Sequence, residues 1–290
     1  MKVAVCAIVG RPSSGKSTLL NTLCGRKVAI TSPVPQTTRN RIRGIVTEER
    51  GQIVFIDTPG YHHSEKKFNL FLKEQVIEAL KEVDEILYLV DSTRSVGEEE
   101  HELIELVKQA GKPVVIALNK IDIPEHHAEG MVPLLKAHFP SAPIVKISAY
   151  TGEGLEELKA RLFEAAEEGP QLYPEEFYTD QEPRFRIAEI IREKAIHQTR
   201  EELPHALYVE VLDVEERPDE TLWARALICV ERESQKGIII GKGGEKIKTI
   251  RLQSEKELSG IFERPVRLDL RVKVVPKWRR NEGLLRRLLT

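Results

Sequence analysis

Gly10-Arg11-Pro12-Ser13-Ser14-Gly15-Lys16-Ser17 sets two glycines five residues apart and closes on a lysine and a hydroxyl. That spacing suits a loop wrapped around a chain of phosphates. The glycines let backbone N–H groups face the oxygens, and a following helix adds the partial positive charge of its N-terminus. Lys16 reaches the β and γ oxygens, and Ser17 is a candidate Mg2+ ligand. An apolar run before the loop and a helical pattern after it distinguish the segment from a chance turn. Residues Gly10 through Ser17, with Thr18, are assigned to the phosphates.

Asp57-Thr58-Pro59-Gly60 closes a later apolar run. Asp57 is placed to hold the Mg2+ shell and the Gly60 N–H to contact a γ-phosphate. Alone, this tetrapeptide is an ordinary strand-ending turn, and its force comes from its position after the phosphate loop. Between the two motifs, residues 31–40 hold two prolines and no apolar period, so a mobile loop is expected. One of its threonines should ligate Mg2+ and sense the γ-phosphate, Thr38 in preference to Thr37. Ser17, Thr38 and Asp57 are then the metal ligands, and Lys16, Thr38 and Gly60 carry the catalytic assignment.

Asn119-Lys120-Ile121-Asp122 follows an apolar run and selects the base. Guanine offers two donors on one edge, which one carboxylate, Asp122, can accept. Adenine presents an acceptor there, and a site built for the donors rejects it because buried polar groups are left unpaired. Ser148-Ala149-Tyr150 would complete the base pocket through a backbone N–H. The ligands expected are therefore GTP, GDP and Mg2+, and a P-loop ATPase or kinase is disfavoured.

A second chemistry resides near the C-terminus. Gly237-Ile-Ile-Ile240-Gly241-Lys242-Gly243-Gly244-Glu-Lys246-Ile-Lys-Thr-Ile250 is an apolar run, a G-x-x-G loop and a helical pattern. It resembles the KH signature, whose loop backbone clamps a single-stranded nucleic acid. Side chains at the glycines would block the phosphodiester, Lys242 and Lys246 supply charge, and Ile240 lies behind the loop. In the tail, Trp278 is a candidate for stacking on a base, with Lys277, Arg279 and Arg280 on phosphates. Packing of a terminal helix on the domain and attachment to anionic lipid compete with that reading.

The elements needed to position these groups are legible as patterns. Short apolar runs at 3–9, 52–56, 85–90, 113–118 and 144–147 alternate with helical patterns at 16–24, 68–81, 98–110 and 155–167. A hairpin pairs 43–47 with 52–57. Such alternation predicts an α/β, P-loop NTPase fold with a doubly wound, mostly parallel sheet over residues 1–170. Residues 171–183, rich in proline, are taken as a linker. Residues 184–290 follow as helix, two strands, helix and strand, a smaller α+β domain in the type II KH arrangement. Helices are expected at 184–200 and 244–259, and strands at 206–215, 221–231 and 266–275.

Charge divides along the chain. Residues 1–180 carry 21 Lys/Arg against 27 Asp/Glu, whereas 15 against 6 lie from Lys236 onward, which suggests a polyanion partner. Three scattered cysteines read as reduced thiols of an intracellular protein. No run of about 18 apolar residues occurs, and a secretory leader is not expected.

Together these motifs resemble the Era family, across nearly the whole chain; the Pro276-Lys-Trp-Arg-Arg-Asn-Glu-Gly283 tail is similar as well. The resemblance implies a GTPase that binds the 3′ end of 16S ribosomal RNA and acts in assembly of the small (30S) ribosomal subunit. A monomer in the cytoplasm is expected, with some peripheral association with the anionic inner face of the membrane. A tandem-GTPase factor of the Der type is disfavoured by the single P-loop. Tyr61 stands where other switch GTPases carry a water-orienting glutamine, so slow hydrolysis is expected. It also keeps open a nucleotide-gated RNA-binding scaffold with negligible hydrolysis. Ser13 replaces an asparagine that many relatives associate with potassium stimulation. His62 and His63 follow Tyr61 as weak candidates for a direct role.

Overall fold

The computed structural model describes residues 1–32, 34, 37–61 and 67–289, in two compact units, the first ending at Asp180 and the second spanning Gln181–Leu288. His62 and His63 lie outside the described residues.

In the first unit the chain runs β1 (Lys2–Val9), α1 (Lys16–Cys24), β2 (Ile42–Glu48), β3 (Gly51–Asp57), α2 (Lys67–Glu82), β4 (Glu85–Asp91), α3 (Glu98–Gln109), β5 (Val114–Asn119), α4 (Ala128–His138), β6 (Ile144–Lys146), α5 (Leu155–Ala165) and β7 (Glu167–Glu168). The sheet order is β2-β3-β1-β4-β5-β6, with β7 antiparallel on the first residues of β1. Along the main path, β2 and β3 form the antiparallel pair and the other neighbours are parallel. Every residue of β3 and β4 is buried, which accounts for the apolar runs at 53–56 and 86–90 between their polar ends, because a central strand of such a sheet is covered on both faces. Val76 and Leu80 of α2, Leu103 and Val107 of α3, and Met131 and Leu135 of α4 pack on Ala7, Val9, Tyr88 and Ile116. Helix α1 packs on β2 and β3, and α5 on β1 and β5. The P-loop, residues 57–60 and residues 119–122 all follow C-terminal ends of strands, where open α/β sheets bind ligands.

Two local features depart from the sequence reading. Helix α4 was not expected, because Gly130 and Pro133 interrupt its pattern; Met131 and Leu135 nonetheless bury their side chains. Packing of that apolar face overrides weak intrinsic propensity. The pattern read as helix to residue 167 ends at Ala165, and Glu167 instead pairs with Val3.

The second unit runs α6 (Pro183–His197), α7 (Leu203–Ala206), β8 (Tyr208–Glu216), β9 (Leu222–Val230), α8 (Glu233–Ile240), α9 (Glu245–Phe262), β10 (Val266–Val274) and α10 (Glu282–Leu289), with 3-10 turns at Lys242–Gly244, between α8 and α9, and at Trp278–Arg280, before the last helix. Its sheet order is β10-β9-β8, with β8 and β9 antiparallel and β9 and β10 parallel. Helices α6 and α9 pack together through a core that includes Ile187, Ile191, Ile250 and Leu258. Helices α7 and α8 have no counterpart in the sequence pattern, and α8 is the longer of the two. Its Ile238-Ile239-Ile240 run is helical and buries only Ile239.

Candidate nucleotide site and nucleic-acid interface

The loop between β1 and α1 is shaped by close contacts that only glycine permits. A Cβ on Gly10 would lie 2.4 Å from Leu89 O, and one on Gly15, whose φ is +100°, 2.4 Å from Asn119 Nδ2. Within the loop Lys16 Nζ donates to Gly10 O at 3.1 Å and to Arg11 O at 3.0 Å. Burial pulls the Lys16 ammonium down to a pKa of about 8, against the opposing charges of Asp57 and Glu100. The anionic oxygens of a phosphate chain would supply the missing counter-charge.

Three hydroxyl and carboxylate oxygens meet below the loop. Ser17 Oγ donates to Asp57 Oδ2 at 2.7 Å, Thr38 Oγ1 donates to the same oxygen at 3.1 Å, and the two hydroxyls lie 2.7 Å apart. Asp57 is fully buried, which raises its pKa, and its Oδ1 has no hydrogen-bond partner. An all-oxygen set with an unpartnered buried carboxylate oxygen fits a hard cation such as Mg2+. Thr37 is directed elsewhere, its Oγ1 donating to Val34 O at 2.6 Å.

Residues 57–60 press against the P-loop. Thr58 Oγ1 donates to Ile8 O at 2.8 Å, the Tyr61 N–H donates to Gly10 O at 3.2 Å, and a Cβ on Gly60 would lie 2.7 Å from Pro12 Cα. Tyr61 itself points into the core. It is 3% exposed and its hydroxyl donates to Glu102 at 3.1 Å, with Lys73 Nζ 5.0 Å from the ring centre.

The base-reading segment is tied to the same loop. Asn119 Nδ2 donates to Ser14 O at 2.8 Å, and its Oδ1 accepts the Ala149 N–H at 2.9 Å. Lys120, at φ +70°, donates to Asp91 at 2.6 Å. Asp122 and Tyr150 are exposed, whereas Ser148 and Ala149 are buried. The Ala149 N–H is held by Asn119, so the segment expected to complete the base pocket also supports the side chain that begins the base-reading motif.

The Arg11 side chain turns away from the loop onto the first turn of α3, 3.4 Å from both Glu99 and Glu100, and donates to Ser95 O at 3.2 Å, which leaves only its backbone to face a phosphate. Arg94 donates to Pro12 O at 3.3 Å. The residues that brace the P-loop from outside, Arg94, Ser95, Glu99 and Glu100, belong to no motif, and their signal in the sequence is only the acidic run Glu98-Glu99-Glu100.

In the second unit Gly241, Gly243 and Gly244 take φ of +74°, +61° and +80° and join α8 to α9. Strained for any side chain, this backbone leaves the N-terminus of α9 beside an exposed Lys242 and a half-exposed Lys246. Ile240 is half-buried behind the loop. Lys277 and Arg280 are exposed, and Arg279 pairs with Glu231 at 2.6 Å.

Trp278 corrects the sequence reading. Only 1% of it is exposed, its Nε1 donates to Ala206 O at 2.8 Å, and its ring packs on Tyr208 with centroids 4.9 Å apart. A ring enclosed in this way has no face to offer a base. Burial of an indole with its N–H satisfied is the arrangement expected of a core tryptophan.

The model of the 50S ribosome-binding GTPase family matches residues 5–120, and that of the KH domain matches residues 202–279. GTPase Era of Borreliella burgdorferi strain ZS7 is 47% identical over 290 residues, which is all of both chains, and GTPase Era of Treponema denticola is 50% identical over 99% of each. The chain belongs to the Era family of GTPases. It is thus a GTPase with a P-loop G domain and a C-terminal KH domain, using a guanine nucleotide with Mg2+. Two solved Era structures superpose on nearly the whole chain. A variant of Aquifex aeolicus Era bound to GDP and AlF4− gives a TM-score of 0.94 at 39% identity, covering 99% of this chain and 98% of that one. An Era in complex with MgGDPNP and nucleotides 1506–1542 of 16S ribosomal RNA gives 0.93 at 39% identity with the same coverage. Among the described residues no helix is long and apolar enough to cross a membrane.

Proposed function

We propose that this chain is a GTP-controlled switch that binds single-stranded RNA at the 3′ end of 16S ribosomal RNA during assembly of the small ribosomal subunit. The observation that carries the switch is the meeting of Ser17, Thr38 and Asp57 below the P-loop. Thr38 belongs to the segment between α1 and β2, so its engagement at the phosphate end depends on what the site holds. Ser17, Thr38 and Asp57 hold Mg2+, which when bound neutralises charge on the phosphate oxygens. Lys16 and the backbone N–H groups of residues 13–18 bind and orient the phosphates. The Gly60 N–H holds the terminal phosphate, while Asn119 and Asp122 select guanine.

With Tyr61 turned into the core, no side chain at that position orients water, which supports slow intrinsic hydrolysis. The same observation favours a second reading, a nucleotide-gated scaffold whose unassisted hydrolysis is negligible. Single-turnover hydrolysis with and without RNA separates the two.

RNA binding rests on Gly241 to Gly244 with Lys242, Lys246 and Ile240. Lys277 and Arg280 are the tail cations open to phosphate. Cytoplasmic action as a monomer is part of this proposal. Peripheral attachment to anionic lipid would rest on those exposed cations, because Leu285 of α10 is buried; co-sedimentation with phosphatidylglycerol vesicles tests it.

The deciding experiment titrates a labelled oligonucleotide of the 16S 3′ end into protein loaded with GDP or with a non-hydrolysable GTP analogue. Tighter binding in one state is expected. Equal affinity in both would remove the switch, since a ligand moves an equilibrium only by its differential affinity for two states.

A further inference from the structure

Strand β2 is an edge of the sheet in the first unit, and the segment that follows β7 covers it. Gln52 fixes the start of that segment. Fully buried, its Oε1 accepts the N–H groups of Leu172 and Tyr173 at 3.0 and 2.9 Å, while its Nε2 donates to Tyr173 O at 2.8 Å. The chain then runs back along β2 from its C-terminal end to its N-terminal end. The Ile45 N–H donates to Tyr178 O at 2.9 Å, and Thr179 Oγ1 donates to Arg43 O at 2.7 Å. Asp180 receives Arg43 Nη1 and the Tyr173 hydroxyl, both at 2.9 Å on Oδ2.

This return path puts the last residue of the first unit on a strand that starts four residues after Thr38. Asp180 immediately precedes the residues that form the second unit. Arg43 is the second residue of β2, so it shares a short stretch of backbone with the threonine that meets Ser17 and Asp57. Covering an edge strand explains why a segment lies there. It does not explain why the contacts crowd onto residues 43–45, nearest the nucleotide site, or why a three-way cluster of Arg43, Tyr173 and Asp180 closes the path.

We infer that Arg43, Thr179 and Asp180 form a clasp that transmits the state of Thr38 to the point where the chain leaves the G domain. This rests on the RNA-switch reading above and names its regulation. The clasp is suited to open and close. Arg43 is 49% exposed and Asp180 26%, and an exposed ion pair contributes little by itself, so a small displacement at the start of β2 suffices to release it. Gln52, fully buried and bonded four times, keeps the segment attached at its other end when the clasp opens. The resulting device has a fixed anchor and a releasable catch. The hydrogen bonds that hold the clasp join Arg43 of β2 to Thr179 and Asp180 and involve no side chain of the P-loop, residues 57–60 or the base-reading segment, so GDP affinity is expected to survive their loss.

The test uses the full chain and two readouts. The first is hydrogen exchange at the Ile45 amide with GDP and with a non-hydrolysable GTP analogue. Protection that differs severalfold between the two states is expected, and equal protection overturns the inference without reference to RNA. The second compares Arg43→Ala, Asp180→Asn and the charge-swapped pair Arg43→Asp with Asp180→Arg. In the single variants the ratio of RNA affinities between the nucleotide states should collapse toward one while GDP affinity is retained. The charge-swapped pair should recover part of the ratio. Single variants that keep the wild-type ratio defeat the clasp alone. A wild-type protein with no ratio defeats the RNA-switch reading, and the coupling with it.

Discussion

Asn119 is bonded to Ser14 across the floor of the nucleotide site, its Nδ2 donating to the Ser14 carbonyl at 2.8 Å. The residue that begins the base-reading motif therefore also fixes the shape of the phosphate loop. Its other amide atom holds Ala149, so one buried side chain joins three segments that are far apart in sequence. Replacing it with alanine leaves the Ser14 carbonyl and the Ala149 N–H without their partner. Each unpaired buried group costs about 1–3 kcal/mol. GDP binding by Asn119→Ala should weaken roughly ten- to a hundredfold, as read by calorimetry, with loss of affinity for the phosphates as well as for the base. A variant that lost discrimination between GDP and ADP while binding pyrophosphate normally would contradict the joint role.

Gly60 and Pro12 are in contact through backbone. A methyl group on Gly60 would lie 2.7 Å from Pro12 Cα and 2.8 Å from its nitrogen, and neither atom belongs to a flexible side chain. Gly60→Ala must therefore separate residues 57–60 from the loop. That shift takes the Gly60 N–H from where a γ-phosphate would be held, and losing one such donor costs on the order of 10²-fold in rate. Single-turnover GTP hydrolysis should fall by that order, with GDP affinity much less affected. An unchanged rate would show that the segment is looser than its contacts indicate.

Glu85 is a buried carboxyl that the nucleotide site does not use. It opens β4 opposite Cys6, is 1% exposed, and the Cys6 thiol is the side chain that faces its carboxyl. Burial, reinforced by the nearby charge of Asp84, raises its pKa from 4.5 to about 8. Between those two pH values the folded protein keeps a proton that the unfolded chain has released. Its stabilising contribution is complete below pH 4.5 and is lost as pH rises through about 8. Over that window the loss is on the order of 3–5 kcal/mol. Melting temperature should fall from pH 5.5 to pH 8.5 in the wild type, and much less in Glu85→Leu. Parallel pH profiles for the two proteins would refute the assignment.

Trp278 separates packing from recognition in the second unit. Removing its ring in Trp278→Ala should destabilise the KH domain by about 3–5 kcal/mol. Trp278→Phe keeps most of the ring and loses the bond to Ala206 O, so it should destabilise less and leave RNA affinity of the folded protein unchanged. A folded Trp278→Phe with strongly weakened RNA binding would restore the base-stacking role.

Sequence alone determined whatever depends on local spacing. The phosphate loop, residues 57–60, residues 119–122 and the G-x-x-G loop each require particular residue types within a few positions, and each follows or precedes an element with its own apolar period. The alternation of buried strands with helices likewise made the parallel sheet legible before any coordinates. What tertiary structure decided was the direction of side chains whose partners come from distant segments. Thr38 and Thr37 are neighbours with the same chemistry, and only the fold turns one toward Ser17 and Asp57 and the other toward Val34. Trp278 is an aromatic among cations in the sequence and a core residue in the structure, because Ala206 and Tyr208 arrive some 70 positions earlier to enclose it. Tyr61, Arg11 and the covering of β2 by residues 172–180 belong to the same class. Their contacts span long loops, and a one-dimensional pattern carries no record of which distant carbonyl or carboxylate will close them.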